Sequence, residues 1–287
     1  MGRPFVGYFD VVADGVSPGM AMRGIIGSVT TRLGMNEEGT GLVMGFRLIG
    51  HRGARGEAPE NTLAGFSYAA NLGLTAVELD VRRTRDDQCV VIHDPTVDRT
   101  TDGAGAVADL TLAELKSLDA RSVHGDWPEP CRIPTLDEVL PVVQGFELIQ
   151  IEIKSEPAAR MEATIADVLA QVRERGIAGR TTLSSFDVAA LGIVQRLAPD
   201  QRRAYIGAFR EANDLEMALR LGCAQIDISL EKGSPEAVAA AHARGLTVVG
   251  YQCNTAHDLE IARAWGIDGA TSDYPSTILP LLAGDGE

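Results

Sequence analysis

Short apolar runs alternate with longer segments of helical periodicity along most of this chain. Eight of these runs are each followed by a segment whose apolar residues have helical spacing, which indicates a strand and then a helix. The predicted strands span 46–50, 76–82, 147–154, 181–185, 203–207, 225–229, 247–252 and 268–272. Eight such units in succession predict an α/β protein of the (β/α)₈ TIM-barrel class. A doubly wound open sheet is the alternative with the same alternation.

One additional apolar run, residues 89–93, follows the second predicted strand too closely for a helical crossover. A parallel neighbour needs a connection of about a dozen residues or more, so this run predicts a hairpin strand antiparallel to strand 2. We expect Asp86 and Asp87 to form its two-residue turn. Asp80 would then lie directly opposite His93, with Cβ atoms about 4.5–5.5 Å apart. A register shifted by one residue would turn His93 to the other face.

Two connections between the predicted strands have internal structure of their own. The first holds a predicted helix over residues 62–72, with Asn61 as its N-cap. The second, residues 94–132, is longer than connections usually are, which favours a small loop-and-helix insertion that covers the site or recognises substrate. Within it, Thr111 and Glu114 have the spacing of a capping box and predict the start of a short helix.

Composition narrows the class of protein. With 287 residues, of which 45% are apolar, the chain is long enough for one large domain, which we assign to residues 46–287. Its net charge of −14 excludes a basic nucleic-acid-binding surface and disfavours attraction to an anionic membrane. The four cysteines lack CxxC or metal-site spacing, so we expect reduced thiols and a cytoplasmic protein.

Residues 1–45 differ from the remainder, because they are rich in glycine and show no clear period. We expect an N-terminal extension that is peripheral or mobile. A signal peptide is not predicted, because a basic segment followed by a continuous apolar stretch is missing, and no window of about 18 apolar residues predicts a membrane-spanning helix. The expected partner is a small-molecule substrate, without nucleic acid or stable membrane association; self-association as a homo-oligomer stays open.

Three acidic residues are predicted to meet at one end of the barrel. Glu78 and Asp80 share a face of strand 2, and Glu152 shares a face of strand 3 with Lys154. Because Glu78 and Asp80 alternate with Val and Leu, they are expected to be buried, and neighbouring buried carboxylates resist joint ionisation unless a cation lies between them. Oxygen ligands favour Ca²⁺ or Mg²⁺ over Zn²⁺. For Glu152 and Lys154, an internal salt bridge is the alternative.

Two histidines are candidates for proton transfer near this predicted metal site. His51, followed by Arg52, emerges where the first strand ends, and His93 ends the hairpin strand. Histidine titrates near neutral pH and is therefore suited to act as a general acid or base. A hydrogen-bonded structural role is the alternative for either side chain.

These residues stand in motifs that resemble those of the glycerophosphodiester phosphodiesterase family. The motifs are HRG (51–53), PENT (59–62), ELDV (78–81), VVIHDPTVDRTTDGAG (90–105), IPTLDEVL (133–140) and IEIK (151–154). Each is short, but their order and spacing together are specific, and the resemblance covers about residues 46–280.

The resemblance implies an enzyme that hydrolyses glycerophosphodiesters to sn-glycerol 3-phosphate and an alcohol. It implies Glu78, Asp80 and Glu152 as metal ligands, His51 and His93 as an acid–base pair, Arg52 and Lys154 as phosphate contacts, and Glu60 and Asn61 in a supporting or substrate-binding role. Tyr251 stands where the family commonly has tryptophan, so it is expected to offer an aromatic face to the substrate and to alter substrate preference.

Three other functions share some of these features. A lysophospholipase D-like phosphodiesterase would use the same site on lipid substrates and would require an apolar rim. A metal-dependent barrel lyase would also use acidic ligands, but it would not require both His51 and His93. A binding protein with a vestigial site would be expected to have lost part of the polar set, which is complete here.

Overall fold

The computed structural model describes residues 45–207 and 212–283. Within these ranges, nine strands and nine α-helices follow the predicted order. The strands are β1 (Arg47–Gly50), β2 (Ala76–Arg83), β3 (Cys89–Val91), β4 (Leu148–Ile153), β5 (Thr181–Ser185), β6 (Arg203–Gly207), β7 (Gln225–Ser229), β8 (Thr247–Tyr251) and β9 (Gly269–Ser272). The helices are α1 (Leu63–Asn71), α2 (Leu112–Ser117), α3 (Leu136–Val143), α4 (Ala158–Glu174), α5 (Val188–Leu197), α6 (Ala212–Arg220), α7 (Pro235–His242), α8 (Ala256–Trp265) and α9 (Pro275–Ala283).

Eight of the strands close into a parallel barrel. Their order is β1-β2-β4-β5-β6-β7-β8-β9, and β9 pairs again with β1. The TIM-barrel prediction is therefore confirmed, and the open-sheet alternative is wrong. The predicted N-terminal extension, residues 1–45, lies outside the described residues apart from Gly45, so its character stays a prediction. Among the helices that the structure describes, none combines the length and apolar character required to cross a membrane.

The alternation of strand residues separates an outer apolar core from a polar interior. On β2, Val77 and Leu79 point outward and belong to the main core between the barrel and its helices. Ala76 points inward and packs with Ile49 and Val249 in a small apolar layer across the barrel interior. Glu78 lies on the same inward face as Ala76, one pleat nearer the carboxyl end of the strand. The polar side chains are thus directed into the carboxyl-terminal half of the barrel.

The hairpin between β2 and β3 forms, but its predicted register is wrong by one residue. Val81 pairs with Val91, so Asp80 faces Ile92 rather than His93. The two-residue turn is replaced by a longer loop, closed by the bond from Thr84 N to Gln88 O (2.9 Å). The Thr84 hydroxyl stabilises this loop, because it accepts from Gln88 N at 2.8 Å. His93 still reaches the site, since it lies beyond the end of β3.

The predicted N-cap of the first helix is also corrected. Thr62, not Asn61, caps α1, and its hydroxyl accepts from Gly65 N at 3.1 Å. Asn61 has a left-handed backbone (φ 55°) and directs its side chain elsewhere. In the insertion, the capping box of Thr111 and Glu114 is confirmed at the start of α2.

The amino-terminal end of the barrel contains a buried arginine that binds backbone oxygens. Arg203 is 4% exposed, and it donates to five carbonyl groups at 2.9–3.2 Å. Those carbonyls belong to Ala198, Pro199, Gln201, Leu221 and Gly222. They follow the carboxyl ends of α5 and α6, where unpaired carbonyl dipoles favour a cation. This arginine therefore joins the segments that follow α5 and α6, at the end of the barrel opposite the predicted site.

Candidate active site

Three buried carboxylates meet inside the barrel where β2 and β4 run side by side. Glu78, Asp80 and Glu152 are 3%, 0% and 8% exposed. One oxygen atom from each lies within 4.8 Å of the others. Asp80 and Glu152 are register partners on adjacent parallel strands, which places their side chains next to each other. The acidic cluster predicted from the sequence therefore forms, with oxygen donors only.

The three carboxyl groups do not ionise with equal ease. Burial, followed by the charges of Asp80 and Glu152, raises the pKa of Glu78 well above its usual range. Burial and the Asp80 charge raise the pKa of Glu152 to about 7. Burial also opposes ionisation of Asp80, but Lys154 and Arg52 hold its pKa far below the ordinary value. A bound cation would allow all three groups to ionise, so this donor set fits a hard divalent ion.

Two cationic side chains lie against this cluster. Lys154 Nζ is 2.7 Å from Asp80 Oδ1 and 2.6 Å from Glu152 Oε1. Arg52 Nε is 3.4 Å from Asp80 Oδ2, and its backbone N donates to Glu78 Oε2 at 3.1 Å. The internal salt bridge considered for Lys154 and Glu152 is thus present, and it places positive charge beside the carboxylates.

His51 is held by the aspartate that directly follows the last barrel strand. Its Nδ1 lies 2.5 Å from Asp273 Oδ1, and its Nε2 lies 4.0 Å from Glu78 Oε2. Arg55 Nε contacts the same Asp273 oxygen at 2.9 Å. Burial lowers the pKa of His51, although the bond to Asp273 favours the charged form. The Nδ1 bond fixes the ring so that Nε2 is directed to the acidic cluster.

His93 has the same arrangement on the other side of the site. Its Nδ1 lies 2.6 Å from Asp94 Oδ1. Burial, reinforced by the charges of Lys154 and Arg52, lowers the pKa of His93 to about 4 against the opposing charge of Asp80. Both histidines are therefore oriented by a carboxylate at Nδ1, which leaves Nε2 of each for chemistry.

Glu60 and Arg99 connect this second histidine to Arg52. Glu60 Oε1 accepts from Arg52 Nη1 at 2.9 Å, and both Glu60 oxygens accept from Arg99 at 2.6 and 2.8 Å. Arg99 also donates from Nε to Asp94 Oδ2 at 2.6 Å. Glu60 therefore positions Arg52, and direct substrate contact by Glu60 stays a prediction.

Asn61 supports the cluster rather than the helix that follows it. Its Nδ2 donates to Asp80 Oδ2 at 2.8 Å, and its Oδ1 accepts from Asp80 N at 3.3 Å. These paired bonds fix the carboxylate of Asp80 relative to its own strand. A substrate contact by Asn61 likewise stays a prediction.

A central cavity of about 170 Å³ lies next to these groups. It is lined by His51, Arg52, Glu78, His93, Gln150, Glu152, Phe186, Ile206, Asp227, Tyr251, Gln252 and Thr271. The ring of Tyr251 meets Phe186 edge to face at 6.1 Å, and its hydroxyl donates to Gly207 O at 3.2 Å. Tyr251 thus presents an aromatic wall to the cavity, as expected, while its hydroxyl is engaged with the backbone.

Comparison with known proteins identifies the family. The model of the glycerophosphoryl diester phosphodiesterase family matches residues 51–277. A glycerophosphodiester phosphodiesterase of Caldanaerobacter subterraneus is 34% identical over 236 residues, which are 82% of this chain and 97% of that protein. The chain belongs to the glycerophosphoryl diester phosphodiesterase family.

Solved structures of phosphodiesterases have the same fold as this chain. An Oleispira antarctica phosphodiesterase, in complex with the product sn-glycerol-3-phosphate, superposes with a TM-score of 0.76 at 30% identity, over 83% of this chain and 96% of that one. A glycerophosphodiester phosphodiesterase of Agrobacterium tumefaciens gives a TM-score of 0.70 at 29% identity, over 82% and 99%. The prediction of a phosphodiesterase of this family on a TIM barrel is therefore confirmed, and the lyase and vestigial-site alternatives are set aside.

The contacts of Asp94, Arg99 and Asp273 were not predicted from the sequence. Asp94 and Asp273 each orient a histidine, and Arg99 joins Asp94 to Glu60. A signal was available for the two aspartates, because Asp94 directly follows His93 and Asp273 directly follows a barrel strand. Carboxylates at the carboxyl ends of barrel strands lie where such enzymes place their functional groups.

Proposed function

We propose that this protein hydrolyses glycerophosphodiesters to sn-glycerol 3-phosphate and an alcohol, and that it uses Ca²⁺ or Mg²⁺ to do so. The observation that carries this proposal is a cluster of three buried carboxylates, two cationic side chains and two carboxylate-oriented histidines, of which five residues line one cavity. Membership of the family and the product bound by the Oleispira antarctica relative support the same reaction.

Glu78, Asp80 and Glu152 would hold the divalent ion. Their oxygen-only donor set suits a hard cation. Its positive charge would oppose the repulsion between the carboxylates that, together with burial, raises the pKa values of Glu78 and Glu152. When bound, the ion supplies Lewis-acid polarisation of a phosphoryl oxygen.

Arg52 and Lys154 would bind the phosphodiester. The substrate carries a full negative charge, which the carboxylates alone would repel. A guanidinium offers a fork to two phosphate oxygens and an ammonium offers a point charge, so the pair can stabilise charge that develops in the transition state. Glu60 holds the guanidinium of Arg52 in place for this role.

His51 and His93 would transfer the protons. One accepts a proton at Nε2 from the attacking hydroxyl group, and the other donates a proton from Nε2 to the leaving alcohol. Asp273 and Asp94 fix the two rings through Nδ1. The attacking hydroxyl belongs either to water or to the glycerol itself. In the second case the alcohol leaves with formation of a cyclic phosphate, which water then opens to glycerol 3-phosphate; both routes use the same pair.

The test is release of glycerol 3-phosphate from glycerophosphocholine, measured with a chelator and again after Ca²⁺ or Mg²⁺ is restored. Release that stops with the chelator and returns with metal is the expected result. Release at the same rate with and without the chelator would contradict a role of the metal in the reaction. Release of lysophosphatidic acid from lysophosphatidylcholine, with none from glycerophosphocholine, would favour the lysophospholipase D-like alternative.

We infer a cytoplasmic location from the composition. All four cysteines are buried and free, as expected for a reducing compartment. Cell fractionation tests this location, and recovery of the protein with membranes would contradict it.

A further inference from the structure

The central cavity contains a carboxylate that the proposed chemistry does not use. Asp227 lies on β7, is 3% exposed and lines the cavity. Its oxygens accept hydrogen bonds from Gln150 Nε2 at 2.6 Å and Gln225 Nε2 at 2.7 Å. Within residues 45–207 and 212–283, no lysine, arginine or histidine lies within ion-pair distance of it. This buried acid is therefore held by neutral amides, with acceptor capacity that faces the cavity.

Asp227 is hydrogen-bonded to Gln150, which is the register partner of Glu78 on β2. Gln150 precedes Glu152 by two residues on β4, so both point into the barrel. Two residues of strand correspond to roughly 6–7 Å along the strand axis. This spacing between Gln150 and Glu152 is comparable with the extended length of glycerol phosphate, so a substrate whose phosphate lies beside Glu152 can direct a hydroxyl group to Asp227.

A second group in the same cavity lacks a hydrogen-bond partner. Thr271 on β9 is 5% exposed and lines the cavity, and its buried Oγ1 has no hydrogen-bond partner. A buried hydroxyl without a partner is unfavourable, because it has lost its bonds to water. Because Thr271 lines the same cavity as Asp227, a polar ligand bound there would supply the missing partner.

We propose that Asp227 and Thr271 form the subsite that binds the glycerol hydroxyls of the substrate and so determine its specificity. This inference rests on the proposed function. A hydroxyl of glycerol donates to the Asp227 carboxylate, and Thr271 donates to or accepts from a hydroxyl group. The cavity of about 170 Å³ is smaller than the ~300–1,000 Å³ of pockets for drug-sized ligands, which suits a group as small as glycerol.

This subsite fixes the orientation of the substrate. The glycerol half points into the barrel, and the alcohol half points outward. There, a wider cleft of about 410 Å³ adjoins His93 and is lined by the exposed side chains of Val123 and Tyr274. The enzyme is therefore selective for the glycerol half and tolerant of the alcohol.

The test compares two substrates that differ by one hydroxyl. Glycerophosphocholine is compared with 2-hydroxypropyl phosphocholine, which lacks only the terminal hydroxyl and keeps the central one, so both routes of attack remain open. In the wild-type protein, loss of the hydroxyl lowers kcat/KM by about 10- to 100-fold, the value of a hydrogen bond to a charged group. The ratio of kcat/KM for glycerophosphocholine to kcat/KM for the analogue measures this effect. In Asp227→Asn the ratio falls below about 3, because kcat/KM for glycerophosphocholine drops while that for the analogue hardly changes.

Thr271→Val is the second variant, and it carries the test if Asp227→Asn does not fold. It removes an unpartnered hydroxyl without loss of a protein contact, and it is expected to reduce the ratio about 3-fold or more. Thr182→Val is the matched control, since Thr182 Oγ1 is also buried without a partner but does not line the cavity. Its ratio stays that of the wild type.

Two results would overturn the subsite. One is a wild-type ratio that persists in both Asp227→Asn and Thr271→Val. The other is a large difference in wild-type kcat/KM between glycerophosphoethanolamine and glycerophosphocholine that disappears in Asp227→Asn, because the alcohol would then be the half that points inward. A wild-type protein that releases nothing from glycerophosphocholine would overturn the proposed function together with the subsite, and this result is distinguishable from the other two.

Discussion

The two ends of this barrel bury charged side chains in different ways. At the amino-terminal end, Arg203 is surrounded by five backbone carbonyls, and each of its bonds is made to an atom that the fold has already fixed. At the carboxyl-terminal end, three carboxyl groups lie close together, from Glu78, Asp80 and Glu152. The pKa values of Glu78 and Glu152 are raised there.

This difference indicates what each buried charge is for. A cation that satisfies the ends of two helices stabilises the fold, because the carbonyls would otherwise lose their bonds to water. Like charges buried together are unfavourable for folding, since desolvation and repulsion act in the same direction. Their presence at the carboxyl end is explained by ligand binding and catalysis, and the two ends should respond to mutation in opposite ways.

The largest expected effect is on catalysis at the carboxyl end. His51→Ala should lower kcat by about 10²- to 10⁴-fold, because one proton transfer loses its donor or acceptor. The thermal midpoint should change little. His242→Ala is the matched control, since His242 lies at the exposed end of α7 and contacts Asp268 far from the site. Activity of His51→Ala close to that of the control would contradict the acid–base role.

The next effect is on stability at the amino-terminal end. Arg203→Met should lower the free energy of unfolding by about 3 kcal/mol, because several buried carbonyls lose their donor. For a chain of this size, that corresponds to a decrease of roughly 6–12 °C in the thermal midpoint. KM for glycerophosphocholine should stay unchanged.

Arg196→Met is the control for this variant. Arg196 also lies near the end of α5, but it is exposed and pairs with Glu162 on the surface. Its thermal midpoint should match the wild type. Equal midpoints for the two variants would remove the distinction between the two ends of the barrel.

A smaller effect is expected for the contact that links the insertion to the active site. Arg99→Lys keeps the charge but loses the fork that joins Glu60 and Asp94. We expect kcat to fall about 3- to 30-fold, the value of one or two charge-assisted hydrogen bonds. KM should change less, because Arg99 acts through other side chains.

Arg85→Lys is a suitable control for Arg99→Lys. The Arg85–Glu114 pair also links the insertion to the barrel, but it is exposed and remote from the histidines. An effect of the same size in both variants would mean that Arg99 only stabilises the insertion. The pair thereby tests whether the insertion positions His93 and Arg52.

The sequence predicted the barrel well because its signals are local. Each barrel strand was placed within one or two residues, since apolar runs and helix-type spacing depend only on neighbouring positions. The carboxylate cluster followed from the same alternation. The hairpin register could not be obtained in this way, because the hydroxyl of Thr84 stabilises a longer loop than the predicted turn.

Contacts between side chains on different strands could not be predicted from the sequence for a related reason. The local pattern predicts Asn61 as a helix cap, and the family resemblance implies a supporting or substrate-binding role. Neither indicates its contact with Asp80, which lies on a different element. Asp273 lies more than two hundred positions from His51 in the sequence, yet it contacts that ring. Such pairs depend on the closure of the barrel, which no local pattern determines.

The metal site is tested most directly by thermal unfolding of the wild-type protein and of Glu152→Gln, each with and without Ca²⁺ or Mg²⁺. A ligand at about one hundred times its dissociation constant stabilises the folded state by about 2.7 kcal/mol, or roughly 5–10 °C here. We predict that increase for the wild type and little or none for Glu152→Gln, whose metal-free form should be no less stable than the wild type. If neither metal changes the thermal midpoint of the wild type, or if both proteins show an equal increase, Glu78, Asp80 and Glu152 do not form the metal site.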